Sequence, residues 1–195
     1  QDPNYTYATA RFLLRTLYTE ALDFLELPTA VYTNNHAGVY HHYFQHYIKR
    51  GVALELLDPQ LRSFDLEKLG KALLPERDQQ FTYLSLQTLY DRYFLHADDV
   101  RFELPQAFFM RIAMGLAQQE SNKEDRAIEF YQLLSSFDYM ASTPTLFNAG
   151  TLRPQLSSCF LTTVADDLDQ IYSAIKDNAL LSKFAGGLGN DWTPV

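Results

Sequence analysis

Apolar residues recur at three- and four-residue steps through the first 140 residues of this chain and then give way to a turn-rich stretch and a strand before one last helical repeat, and that change of period bounds what the chain can fold into. Ala10, Leu14, Leu17, Ala21 and Phe24 give one face of a first helix, which Pro28 closes. Residues 39–50 repeat the pattern through Tyr40, Tyr43, Phe44, Tyr47 and Ile48, with Gly51 expected as a left-handed terminator. Asp65 is placed to cap a short helix through Leu66, Leu69 and Leu73, and Pro75 stops it. Tyr83, Leu86, Leu89, Tyr90 and Tyr93 line a fourth. Pro105 fits the first turn of a fifth, where Phe108, Ile112 and Leu116 share a face and Arg111 interrupts the richest apolar run of the chain, residues 107–117. Residues 121–124, Ser-Asn-Lys-Glu, have capping-box spacing and open a sixth helix through Ala127, Phe130, Leu134 and Phe137.

Beyond residue 140 the composition changes. Residues 141–151 are small, hydroxylic and turn-rich, and Arg153-Pro154 prolongs an irregular path. Residues 156–164, with apolar and β-branched side chains, read as a buried strand. Asp166 or Asp167 then caps a helix in which Leu168, Ile171, Ile175, Ala179 and Ser182 repeat at helical spacing. That helix ends at Phe184, ahead of a glycine turn, Ala185-Gly-Gly-Leu-Gly-Asn190. The chemistry concentrates in this last quarter: a hydroxyl-rich loop, a thiol on a strand and a glycine run.

Composition excludes several classes. Sixteen Lys and Arg against 24 Asp and Glu leave a net charge of -8, which argues against a basic surface for DNA. The single cysteine, Cys159, rules out an internal disulfide framework, a cysteine-based zinc site and a self-contained dithiol cycle. The opening residues are not a secretory signal and no apolar window of about 18 residues occurs, so no membrane span is expected and the lone thiol suits the cytoplasm. The chain lacks an initiating Met and stops abruptly at Val195, which reads as processed ends or a piece of something longer.

Each candidate group has two readings. His36, His41, His42 and His46 cluster, and His42 and His46 share a helix face at a metal-ligand spacing. The zinc-protease Glu between them is absent and tyrosines crowd the segment, so an aromatic, hydrogen-bonded face is expected and no metal. The glycine run admits close backbone approach to a ligand or simply stops a helix; it lacks the Gly-Lys-Ser/Thr of a phosphate loop. Ser142, Thr143, Thr145, Ser157 and Ser158 offer donors to phosphate or ribose oxygens, or satisfy their own turn. Cys159 in an apolar strand is by default a packing residue, with no neighbouring Lys or His to depress its pKa. Asp166 and Asp167 cap a helix or accept from ribose hydroxyls, and the two roles are compatible.

Four blocks occur together in one order: residues 141–151 (Ala-Ser-Thr-Pro-Thr-Leu-Phe-Asn-Ala-Gly-Thr), 155–161 (Gln-Leu-Ser-Ser-Cys-Phe-Leu), 166–171 (Asp-Asp-Leu-Asp-Gln-Ile) and 182–189 (Ser-Lys-Phe-Ala-Gly-Gly-Leu-Gly). In that order and spacing they resemble the large catalytic (alpha) subunit of ribonucleotide reductase. Residues 89–93 (Leu-Tyr-Asp-Arg-Tyr) and 105–111 (Pro-Gln-Ala-Phe-Phe-Met-Arg) extend the likeness into the helical part, so it spans essentially the whole chain.

The resemblance implies a mainly α-helical N-terminal region over residues 1–140 leading, over 141–195, into the first strand or strands and helix of a ten-stranded α/β barrel that this chain alone cannot close. It implies that Cys159 is one of the redox pair that delivers reducing equivalents at the ribose 2′ carbon. Thr143 and Ser158 would touch substrate diphosphate and ribose oxygens, and Ala185, Gly186 and Gly187 would bring backbone to the substrate. Asp166, Asp167 and Leu168 match the start of a site for a nucleoside triphosphate effector, and the helix of residues 168–184 resembles one that packs on its copy in an alpha homodimer. The activity implied is reduction of ribonucleotides, as diphosphates, to deoxyribonucleotides by thiyl-radical chemistry.

The same resemblance places the radical-bearing cysteine, its Asn and Glu, the second redox cysteine and the C-terminal relay thiols further along the polypeptide, and a regulatory ATP-cone before it. The chain is thus expected to be an N-terminal fragment, inactive alone, whose partners are the remaining alpha polypeptide, a radical-generating small (beta) subunit and thioredoxin or glutaredoxin. No cofactor is expected on the chain itself. The radical would come from a metal-containing small subunit or, alternatively, adenosylcobalamin. The competing reading is a non-catalytic helical module or decayed fragment that associates with an alpha subunit.

Overall fold

The apolar run that one arginine interrupts forms the innermost helix of the molecule. The structure, a computed structural model, describes residues 4–28, 36–184 and 186–195. Its helical region comprises α1 (Tyr5–Phe24), α2 (His36–Ala53), α3 (Leu66–Ala72), α4 (Tyr83–Arg92), α5 (Pro105–Ala117) and α6 (Lys123–Ser135), with 3-10 turns at Pro59–Ser63 and Pro75–Gln80. α5 is buried on nearly every side and packs chiefly against α6, while α1 lies on α4 and α2 on α3. Leu17, Phe44, Ile48, Phe102, Phe108 and Ile112 sit at the centre of the core. Two start signals, Asp65 and Pro105, act as expected, and the structure adds a third at Thr82. Asp65 accepts the Lys68 amide at 2.9 Å to cap α3, Thr82 accepts the Ser85 amide at 3.3 Å to cap α4, and Pro105 occupies the first turn of α5.

Elsewhere tertiary contacts override local signals. Gly51 does not end α2, which runs on to Ala53; the left-handed residue is Glu55, at φ 57°. Gly51 is small because Leu57 packs on it, where an added Cβ would fall 2.5 Å from Leu57 Cδ1. The capping box of residues 121–124 does not form. Glu124 instead accepts the Asp65 amide at 3.2 Å, and the Lys123 ammonium donates to the Ser63 carbonyl at 2.9 Å, so these side chains tie α6 to the start of α3. Phe137 lies beyond α6 at φ 66° and packs edge-on to Phe81. A small hairpin that helical periodicity did not signal, β1 (His96–Ala97) with β2 (Val100–Arg101), turns through Asp98 and Asp99, both at positive φ.

The second part begins within residues 141–151, which are not all turn. Residues Thr143–Asn148 form a short helix, α7, with Pro144 in its first turn. Then β3 (Cys159–Thr163), α8 (Leu168–Phe184) and β4 (Gly187–Asp191) make a β-α-β unit with parallel strands, registered from Cys159 opposite Gly187 to Thr163 opposite Asp191. The expected strand at 156–164 is present but shorter. The expected glycine turn is instead a strand, entered where Gly186 lies close against β3: a Cβ there would fall 2.7 Å from the Ser158 carbonyl oxygen. Among the described residues no third strand joins this pair, so the sheet is open on both edges. The architecture is a mainly helical region leading into the start of an unclosed barrel.

One buried polar knot fastens the helical layer. The Asp78 carboxylate accepts from Tyr18, from Tyr40 at 2.8 Å and from the Gln106 amide at 2.7 Å; Tyr131 donates to Gln106 Oε1 at 2.7 Å and accepts the Leu74 amide at 2.8 Å. Thus α1, α2, α5, α6 and the turn after α3 meet at one acid. Burial pushes the Asp78 carboxyl up to about 6, although its three donors pull the other way. Because the folded value lies above the unfolded one, Asp78 contributes stability that is fully present below about pH 4 and is lost as pH rises through 6. Chemical denaturation should therefore show the chain losing about 3 kcal/mol, relative to an Asp78→Asn variant, between pH 4 and pH 7. A constant difference would contradict this placement of the acid.

Candidate functional site

The candidate site is built outward from Arg111, the charge in the apolar run. Its guanidinium is fully buried and donates from Nε to Glu103 Oε1 at 2.7 Å and from Nη2 to Glu103 Oε2 at 3.3 Å. Burial alone would pull the guanidinium down, but the Glu103 carboxylate more than offsets it and holds the group above its ordinary value. Glu103 also accepts the Tyr47 hydroxyl at 2.5 Å and the Leu95 amide at 3.0 Å. Burial, then the neighbouring carboxylate, push the Tyr47 phenol far up, so it stays a donor.

The remaining donors of Arg111 reach the carboxyl end of α7. Nη1 bonds the Ala149 carbonyl at 2.7 Å and the Phe147 carbonyl at 3.4 Å, and Nη2 bonds the Leu146 carbonyl at 3.2 Å. These are carbonyls that a helix end leaves without intrahelical partners. Backbone also touches backbone here. A Cβ on Gly115 of α5 would fall 2.2 Å from the Gly150 amide nitrogen, and Gly150 itself adopts φ 76°.

From α7 the ties pass to the strand that carries the thiol. Thr145 Oγ1 donates to the Leu156 carbonyl at 3.2 Å, and Asn148 Nδ2 donates to the Gln155 carbonyl at 2.8 Å. The Gln155 side chain in turn donates to the Ser157 carbonyl at 3.0 Å. Ser157, Ser158 and Cys159 are exposed. The Gly187 amide donates to the Ser158 carbonyl at 3.2 Å, and a Cβ on Gly186 would fall 2.7 Å from that same oxygen. A Cβ on Gly187 would sit 3.7 Å from Cys159 Sγ. The fold therefore brings Ser158, Cys159, Gly186 and Gly187 to one corner of the β3–β4 pair, where no side chain on the glycines covers the thiol. Cys159, Leu161 and Thr163 share the exposed face of β3, and Leu161 is 85% exposed.

Thr143 enters through α7 and not through the strand. Its hydroxyl lies 3.3 Å from that of Tyr93. Ala185 falls outside the described residues, as does the side chain of His36. Asp166, Asp167 and Leu168 lie past the other end of β3 from Cys159, and the strand alone separates its two ends by roughly 13 Å at a rise of about 3.3 Å per residue. Asp167 is the cap of α8, accepting the Gln170 amide at 3.0 Å, while Asp166 and Leu168 are exposed. In the histidine cluster His46 Nδ1 bonds the His42 carbonyl at 2.8 Å, and the His41 and His42 rings lie 5.4 Å apart. Among the described residues no helix is long and apolar enough to cross a membrane.

Nothing in the residue pattern singles out Tyr47, Tyr93, Glu103 and Asn148 for the site, whereas Thr145, expected as a donor to phosphate or ribose, spends its hydroxyl on the Leu156 carbonyl. Only Arg111 carried a usable signal, a charge inside an apolar run, and its burial requires a buried acid that the sequence does not point out.

Two family models of known proteins match the chain in succession, and they meet after α7, at residues 154–157. Residues 79–154 match the family model described as "Ribonucleotide reductase, all-alpha domain", and residues 157–195 match "Ribonucleotide reductase, barrel domain". A ribonucleoside-diphosphate reductase subunit alpha of Chlamydia muridarum is 49% identical over 100% of this chain and 18% of its own length. One from Helicobacter pylori is 41% identical over 99% of the chain and 23% of its own length. The ribonucleoside-diphosphate reductase large subunit of monkeypox virus is 44% identical over 63% of the chain and 16% of its own length. The chain thus spans about a fifth of the length of the relatives it matches from end to end.

The buried pair gives a direct test. Arg111→Met leaves the Glu103 carboxylate and the α7 carbonyls without their donor and should cost about 3–5 kcal/mol in denaturant titration, part of it recovered by adding Glu103→Gln. Under native conditions the amides of Leu146, Ala149 and Thr151, which bond within and just after α7, should lose exchange protection in that variant. Amides of α8 should not change.

Proposed function

The chain belongs to the ribonucleotide reductase large (alpha) subunit family, and from that premise we propose that it supplies one redox thiol and part of a nucleotide cradle for the reduction of ribonucleoside diphosphates to deoxyribonucleotides. The relatives that match across the whole chain are named for ribonucleoside diphosphates, and that name is the ground for the phosphorylation level proposed. What carries the reading is the corner at Cys159. The thiol opens β3 opposite a glycine, Ser158 beside it keeps its hydroxyl exposed, and the helix bearing Thr143 is tied to the same strand through Gln155 and Leu156.

In the complete subunit Cys159 acts as half of a thiol pair, its partner lying outside this chain, which has no second cysteine. A thiyl outside this chain, generated with a radical from a metal-containing small subunit (alternatively adenosylcobalamin), would take the 3′ hydrogen of the ribose and return it to C3′ at the end of the turnover, which regenerates the thiyl. The two thiols then give up two electrons and two protons. The C2′–O bond breaks, the oxygen leaves as water, C2′ gains a hydrogen and an S–S bond forms between Cys159 and its partner. Thioredoxin or glutaredoxin restores the pair. Thr143 and Ser158 offer hydroxyl donors to the acceptor-only phosphate oxygens and to the ribose. Gly186 and Gly187, next to Ala185, let backbone come within contact of the nucleotide.

The far end of β3 is the proposed effector site, where Asp166, Asp167 and Leu168 meet a nucleoside triphosphate. α8 is the proposed face between two alpha subunits. It packs against β4 and buries Ala174, whereas Leu168, Tyr172 and Ile175 form an outward stripe at helical spacing, the first two 69% and 65% exposed.

In the completed reductase, Cys159→Ser should abolish multiple-turnover formation of deoxyribonucleotide with thioredoxin as reductant; normal turnover would remove the assignment. Asp166→Ala should weaken binding of deoxythymidine triphosphate in calorimetry while leaving α8 intact, because Asp167 is the helix cap. Unchanged binding would take Asp166 out of the effector site.

A further inference from the structure

Two segments of the helical region, residues 89–93 and 105–111, have no part in the chemistry proposed above, yet both end on α7. Arg111 holds the carboxyl end. Tyr93, just past α4, runs along one side of α7: its hydroxyl lies 3.3 Å from Thr143 Oγ1 at the amino end, and its ring stacks on Phe147 with centroids 4.6 Å apart and planes 13° from parallel. Thr143 and Phe147 are four residues apart, so they share the face of α7 that Tyr93 covers. The back of the Tyr93 ring is braced edge-on by Phe108 of α5, at 6.4 Å, and the Arg111 guanidinium lies 5.3 Å from that same Phe108 ring. One aromatic side chain thus fixes both the position of α7 and the partner of its first hydroxyl.

Resting on the reading of Thr143 as a substrate contact, we infer that Tyr93 is a positioning residue for the nucleotide, acting through the Thr143 hydroxyl. A phosphate oxygen only accepts, so Thr143 must donate its single proton outward to bind one. Its oxygen is then free to accept, and the hydroxyl within reach is that of Tyr93. The order Tyr93 O–H to Thr143 Oγ, then Thr143 O–H to phosphate, sets the rotamer of Thr143 and polarises its donor. Without the Tyr93 proton, Thr143 is free to turn its own hydrogen back onto the protein.

The test is a double-mutant cycle in the completed reductase, assayed with a ribonucleoside diphosphate. Tyr93→Phe keeps the ring on Phe147 and removes only the hydroxyl. It should raise KM about three- to tenfold with kcat within about twofold, the loss expected for one hydrogen bond. Thr143→Val should raise KM at least as much, and Tyr93→Phe added to Thr143→Val should change nothing further, because the tyrosine acts only through that hydroxyl. Thermal midpoints within about 2 °C of wild type confirm that the ring still packs. A wild-type KM in Tyr93→Phe alongside a raised one in Thr143→Val overturns the inference and leaves the substrate reading of Thr143 standing. So do multiplicative effects in the double variant, which place Tyr93 on the nucleotide by itself. A wild-type KM in Thr143→Val overturns the substrate reading, and the inference with it.

Discussion

The buried pair of Glu103 and Arg111 is the contact on which the placement of everything after residue 140 depends. Desolvating two charges is costly, and their attraction repays it only when the remaining donors and acceptors are met as well. Here they are. Glu103 takes the Tyr47 hydroxyl and the Leu95 amide in addition to the guanidinium, and Arg111 has donors left for three carbonyls at the end of α7. A pair satisfied on all sides has one geometry, and that geometry fixes α2, the base of the hairpin, α5 and α7 relative to one another. The pair works as a locator, since an apolar substitute of the same volume would hold the core together without specifying where α7 must sit.

From that locator the placement is passed along backbone. α7 is only six residues long and has little stability of its own. It persists because Arg111 satisfies its last carbonyls, Tyr93 stacks on its face, and Gly115 lets the Gly150 backbone press against α5. Thr145 and Asn148 then hold the carbonyls of Leu156 and Gln155, three to four residues before the thiol. The helical region is therefore more than a base for the strands. It holds the short helix that carries Thr143 and sets the first strand's starting point.

What the sequence disclosed follows from which signals are local. Most of the helices were legible because their apolar stripes repeat at 3.6 residues, and Asp65, Pro75 and Pro105 act within one turn of themselves. The short α7 was hidden because its hydroxyl-rich residues suit turns equally well and its stability comes from Arg111, far off in sequence. Gly51 and Gly186 mislead for a common reason. Glycine signals a break in the chain, but at these two positions a neighbour, the Leu57 side chain or the Ser158 carbonyl, lies too close for a Cβ. Asp78 and Glu103, the two acids that organise the core, have no periodic signature at all. Cys159 is the opposite case: composition favoured a packing residue, and only its setting among the four motif blocks pointed to chemistry, which is why its role rests on family membership joined to the open corner at Gly187.

The central claim is that Cys159 is oxidised by the reaction itself, in partnership with a thiol outside this chain. The most direct measurement is a single turnover of the completed reductase with a ribonucleoside diphosphate and no external reductant, followed by alkylation and peptide mass analysis. Cys159 is expected to become resistant to alkylation in proportion to the deoxyribonucleotide formed, and its peptide to be recovered joined by a disulfide to another cysteine peptide. Deoxyribonucleotide formed while Cys159 stays fully alkylatable would contradict the claim.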